Sequence, residues 1–111
     1  MPDSKTQNDG VEVKIEVESR GPSEFDVRVV QSGSRGASQS SHRVTLSRKD
    51  YLRLTGGQFA PDGRVGPEEL VRRSFEFLLE REPKESILAR FDLPVIGRYF
   101  PEYEREMKRR L

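Results

Sequence analysis

Between Val11 and Val17 apolar and charged residues alternate without a break: Val11, Val13, Ile15 and Val17 are separated by Glu12, Lys14 and Glu16, with Glu18 following. Successive strand side chains point to opposite faces, so this pattern predicts a β-strand with one buried and one wet side. Gly21 and Pro22 interrupt the run and predict a turn. Beyond them Phe25, Val27 and Val29 alternate with Asp26 and Arg28, which predicts a second strand paired antiparallel to the first. From Gln31 to Arg43 the only apolar residue is Ala37, amid serines and glycines, so residues 31–41 are expected to form a mobile loop. A third strand follows, with Val44 and Leu46 on one side and Arg43, Thr45 and Ser47 on the other.

Near Ser47 the apolar spacing changes from two to three and four. Ser47 is placed to cap a short helix ending at Leu54, with Asp50 in the position of a capping-box partner. Thr55, Gly56 and Gly57 stop that helix, and Pro61-Asp62-Gly63 marks a turn. A longer helix is predicted from Pro67 to Arg81: proline costs nothing at the first helical position, Glu68 and Glu69 suit the positive end of the dipole, and Leu70, Val71, Phe75, Leu78 and Leu79 form a stripe. Pro83 is expected to open a second helix carrying Ile87, Leu88 and Phe91. Asp92 caps a third short piece with Val95 and Ile96, and Pro101 opens a fourth with Tyr103 and Met107. The fold class expected is α+β: a three-stranded antiparallel sheet with several short helices packed on one face.

Composition supports folding only because the apolar residues cluster. The chain of 111 residues is 32% hydrophobic and 35% charged, but sixteen apolar residues fall between positions 65 and 100. That density suits one modest core, read as a single domain over residues 11–111. Residues 1–10 are polar, lack the apolar run of a signal peptide or membrane anchor, and read as a frayed tail. With no cysteine, disulfides and thiolate zinc sites are excluded, and the expected location is the cytoplasm.

Charge is unevenly distributed although the net value is +1: residues 1–26 sum to −4, residues 27–65 to +5 and residues 66–111 to zero. The middle segment therefore carries the nucleic-acid candidates Arg35, Arg43, Thr45, Arg48, Lys49 and Arg53, with His42 and Arg64 nearby. Only Tyr51 and Phe59 offer aromatic faces there. Residues 43–82 resemble a ribbon-helix-helix DNA-binding module in their order of strand, short helix and longer helix. That resemblance makes Arg43, Thr45 and Ser47 the base readers. Twelve residues separate the helices, where that family uses a few.

Catalytic signals are weak. His42 has no carboxylate near it in sequence and no second histidine or cysteine to complete a metal set. The loop serines lack a nucleophile elbow, Gly33 and Gly36 lack the spacing of a phosphate cradle, and Glu76 with Glu80 is neutralised by Arg72 and Arg73 one turn earlier. No cofactor is expected.

The run from Glu68 through Phe75-Glu76-Phe77-Leu78-Leu79 to Pro83, continued by Ser86-Ile87-Leu88, Phe91-Asp92-Leu93 and Tyr99-Phe100-Pro101-Glu102-Tyr103-Glu104, resembles a segment of small uncharacterised bacterial proteins. That group carries no assigned activity, so the resemblance implies a bacterial protein and names no catalytic residue. The expected function is accordingly non-catalytic binding or regulation with a protein partner. Phe59, Arg98, Tyr99 and Tyr103 are the candidate contact residues, and nucleic-acid binding is the alternative.

Overall fold

The computed structural model describes residues 12–34, 36–55 and 66–110. Strands β1 (Glu12–Ser19), β2 (Glu24–Gly33) and β3 (Gly36–Thr45) form an antiparallel meander. Helix α1 (Arg48–Leu54) and helix α2 (Pro67–Leu79) follow, and the chain then returns to the sheet as β4 (Arg90–Asp92). Two short helices, α3 (Ile96–Tyr99) and α4 (Tyr103–Arg110), complete the order. The class is α+β as expected, but the sheet has four strands in the order β1-β2-β3-β4, with β4 parallel to β3.

The structure departs from three sequence expectations. Residues 31–33 and 36–41 belong to strands rather than to a loop: β2 and β3 pair as far as Gly33 opposite Gly36. Gly36 adopts φ +116°, a conformation that side chains disfavour, which is why glycine closes this hairpin. The polar composition of the ribbon reflects solvent on its outer end, since Ser38, Gln39 and Ser41 are all exposed. The segment expected to be a helix carrying Ile87, Leu88 and Phe91 is instead one 3₁₀ turn at Lys84–Ser86 followed by extended chain. Here Arg43 N–H donates to the Ala89 carbonyl at 2.7 Å and the Thr45 hydroxyl donates to the Asp92 carboxylate at 2.7 Å. Asp92 thus ties β4 to β3, and its side chain does not cap the turn that follows.

The cap at Ser47 forms as the sequence predicts, with its hydroxyl oxygen accepting the Asp50 N–H at 3.1 Å. Pro67 is the first residue of α2, which ends two residues before Arg81. Odd-numbered β1 and β2 residues and even-numbered β3 residues make the covered face. Phe25, Val27, Val29, Val44 and Leu46 are buried there with Leu70, Val71, Phe75 and Leu78 of α2. Burial of such side chains stabilises the fold by about 1.5–3 kcal/mol each. Phe75 is central: its ring lies 5.3 Å from His42 and 5.9 Å from Phe91.

Candidate functional site

A cleft of about 350 Å³ opens beside the β4 edge of the sheet, within the range of about 300–1,000 Å³ usual for ligand sites. Leu78 at the end of α2, Ile87, Phe91 of β4 and Ile96 of α3 line it, and Val95 and Phe100 add to the apolar wall. Glu82 and Ser86 are the polar lining groups. Leu78, Ile87 and Ile96 are buried, whereas Leu88 is 46% exposed and Tyr99 is 64% exposed. Two large apolar side chains therefore stand in water on the lining of a single concavity.

The wall from Pro83 to Leu88 has no regular structure beyond one turn, so side chains must hold it. His42, 5% exposed, does so from the middle of β3: its Nδ1 lies 2.7 Å from the Leu88 carbonyl oxygen and its Nε2 lies 2.8 Å from Ser40 Oγ. A carbonyl can only accept, so Nδ1 carries a proton, and in the neutral ring Nε2 then accepts from the serine hydroxyl. Lys84 makes a second tie. Its side chain is 2% exposed, and Nζ donates to Ser38 Oγ at 2.7 Å and to Glu85 Oε2 at 2.6 Å. Lys84 in turn holds the Glu85 carboxyl below the usual carboxylate range.

The arrangement of Ser40, His42 and a carbonyl has the polarity of an activated nucleophile. Yet Ser40 lies on the helix-covered face of β3 and lines neither the apolar cleft nor the groove on the opposite face of the sheet. The structure gives the trio a clear mechanical task, which is to fix the cleft wall. Among the described residues no group of three or more His, Cys, Asp or Glu side chains is arranged to hold a metal, and no helix is long and apolar enough to cross a membrane.

The sequence candidates scatter. Arg35 and Phe59 lie outside the described residues, as does Arg64. Arg43 and Thr45 sit on the open face of the sheet, but Arg43 is bonded to Asp26 with Glu24 3.7 Å away, and Thr45 is bonded to Asp92. The hydrogen bond that Arg43 donates to Asp26, together with the charge of that carboxylate, raises the Arg43 pKa. Arg53 pairs with Glu104 and with Asp50, Glu104 contributing most to its raised pKa. Arg48 and Lys49 are exposed on α1. A ribbon-helix-helix arrangement does not form within this chain, because β3 is hydrogen-bonded on both edges and has no side left for an intermolecular ribbon.

Across the open face, cross-strand neighbours pair charge with charge. Arg28 Nη2 lies 2.5 Å from Glu16 Oε1, and Arg20 lies 2.9 Å from Asp26. Among the described residues the carboxylates of Glu12, Glu16, Glu18, Glu24, Asp26 and Asp92 outnumber the cations Lys14, Arg20, Arg28, Arg43 and Arg90 by one, so this face offers a polyphosphate little net attraction.

Of the aromatic candidates the structure separates Tyr99, at the mouth of the cleft beside exposed Arg98, from Tyr103, which is fully buried. Tyr103 is corrected from a contact residue to a core residue. Its ring packs 5.4 Å from Phe77, and its hydroxyl meets Ser74 Oγ. Nothing in the sequence pattern joins Leu88, Lys84 and His42 into one site, because their meeting depends on β4 pairing beside β3. Comparison with protein-family models, with curated proteins and with solved structures gives no match.

Proposed function

We propose that this protein is a non-catalytic binding protein that seats an apolar side chain of a partner protein in the cleft walled by Leu88 and Tyr99. The observation that carries this reading is the joint exposure of Leu88 and Tyr99 on the lining of one apolar concavity. A partner that covers both removes a continuous apolar surface from water, the usual core of a protein–protein contact, while Glu82, Ser86 and Arg98 supply a polar rim. The cations of the middle segment support nucleic-acid binding less well, since Arg43 and Arg53 already hold carboxylates.

A photo-crosslinking residue in place of Tyr99 tests the reading in native cells. A protein adduct is expected, and Leu88→Glu in the same molecule should abolish it. An adduct that survives Leu88→Glu, or no protein adduct at all, refutes the proposal.

A further inference from the structure

Strand β1 is the edge of the sheet farthest from the cleft, and among the described residues it pairs only with β2. Arg20 N–H donates to the Glu24 carbonyl at 2.7 Å, so even-numbered residues of β1 direct their backbone groups toward β2. Backbone direction alternates along a strand. The N–H and C=O groups of Val13, Ile15 and Val17 consequently point outward, and among the described residues no backbone group meets them. On the helix-covered side of the same edge Val13 is 49% exposed, Ile15 and Val17 are half-buried, and a groove of about 340 Å³ runs between Val17 and the start of α2.

We propose that a second copy of this chain occupies this edge, β1 pairing antiparallel with its twin to give one eight-stranded sheet. Charge selects both the occupant and the register. With Glu16 on the two-fold axis, each Lys14 faces a Glu18, each Glu12 faces an Arg20, and Ile15 packs against Val17. Lys14 has no ion pair within its own chain among the described residues, and Glu18 has only Arg20 at 3.8 Å. The two Glu16 carboxylates that meet on the axis are each neutralised by Arg28. Sliding the strands by one step in one direction keeps each Lys14 against a carboxylate, Glu16, but sets Glu12 against Glu18 on both sides of the axis, where the centred register has one like pair that Arg28 neutralises. Sliding them in the other sets Lys14 against Arg20 and Glu16 against Glu18. Opposite charges across a strand pair stabilise and like charges destabilise, so the centred register wins. An odd shift is excluded, because it turns the valines of one copy to the wet face of the other.

The register places the two Glu16 residues at a non-hydrogen-bonded pair, with Cα atoms about 4.5 Å apart, close enough for a disulfide. The chain has no cysteine of its own. Glu16→Cys should give a covalent dimer on mild oxidation, whereas Gln39→Cys, on the same face but away from the edge, should not. By sedimentation equilibrium the wild type should have twice the monomer mass. Lys14→Glu should weaken association at least tenfold, and Lys14→Glu with Glu18→Lys should restore it. Val13→Pro, which removes an outward N–H and leaves the β1–β2 ladder whole, should also weaken it. A monomeric wild type without the Glu16→Cys crosslink overturns the proposal, as does a dimer indifferent to Lys14→Glu and Val13→Pro. Leu88→Glu lies at the opposite edge and leaves the dimer intact, so this result is separable from the fate of the cleft.

Discussion

The phenolic oxygen of Tyr103 lies 2.6 Å from Ser74 Oγ, deep between α4 and α2 with neither side chain exposed. Ser74 uses its own proton on the Leu70 carbonyl at 2.8 Å, so Tyr103 is the donor. Removing Tyr103's hydroxyl leaves an oxygen that still donates; removing Ser74's leaves a buried phenol with no acceptor. Tyr103→Phe is therefore expected to cost about 1 kcal/mol and Ser74→Ala about 1–3 kcal/mol. The double substitution should cost less than the sum of the two, and urea unfolding of all four proteins measures the cycle.

Alkaline stability follows from the same tyrosine. Burial pushes the Tyr103 phenol well above its ordinary range, against a smaller opposing effect of the Ser74 hydrogen bond, and burial raises Tyr51 as well. The folded state thus holds protons that the unfolded chain releases near pH 10. Stability is complete below that pH and falls as pH rises beyond it. Tyr103→Phe should make the decline shallower in urea titrations between pH 9 and about pH 11.

Acid acts through two sets of ion pairs, Glu80 with Arg110 of α4 and Glu69 with Arg72 and Arg73 within α2. The hydrogen bond from Arg110 lowers the Glu80 pKa, with burial opposing and Arg81 assisting. For Glu69, burial is the largest influence and acts upward, yet Arg73 and Arg72 together bring the net shift below normal. Both carboxylates stabilise the fold above about pH 4.3, the unfolded value, and lose that contribution as pH falls through their lower folded values. Glu80→Gln should cost about 0.5 kcal/mol at neutral pH, since its ion pair is half exposed and screened. Its stability should also vary less below pH 4.3.

His42→Leu keeps bulk beside Phe75 but leaves the Leu88 carbonyl and the Ser40 hydroxyl without their partner. A loss of about 1–3 kcal/mol is expected. Amide exchange should quicken between residues 84 and 90 more than in α2, and crosslinking from position 99 should weaken.

Phe75→Ala opens a void beneath His42 and Phe91 at the centre of the core. Its cost should be about 3–5 kcal/mol, a large share of the 5–15 kcal/mol typical of a domain. Loss of the cooperative thermal transition at physiological temperature is the expected readout.

Strands β1 and β2 and the start of α2 were legible because one buried face imposes a period on the residues that supply it. The outer hairpin was not, since between Gln31 and Ser41 solvent reaches much of the ribbon and serine serves as well as valine. Three residues are too few for β4 to show a period. What makes Arg90–Asp92 a strand is the Ala89 carbonyl on Arg43 N–H, the Asp92 carboxylate on Thr45 and the Phe75 ring under Phe91, none of them local. The site was legible by half. Tyr99 and Tyr103 stand four apart in similar surroundings, and only the docking of α4 against Phe77 and Ser74 decides which of them meets water.

Because an imidazole from the middle of the sheet grips the rim that carries Leu88, loading that rim and melting the sheet are coupled. A molecule that fits the rim as it stands lends its binding energy to the entire fold and raises the melting temperature. One that must first pry the rim away has to break His42 from Leu88, and its affinity is lowered by the work of doing so.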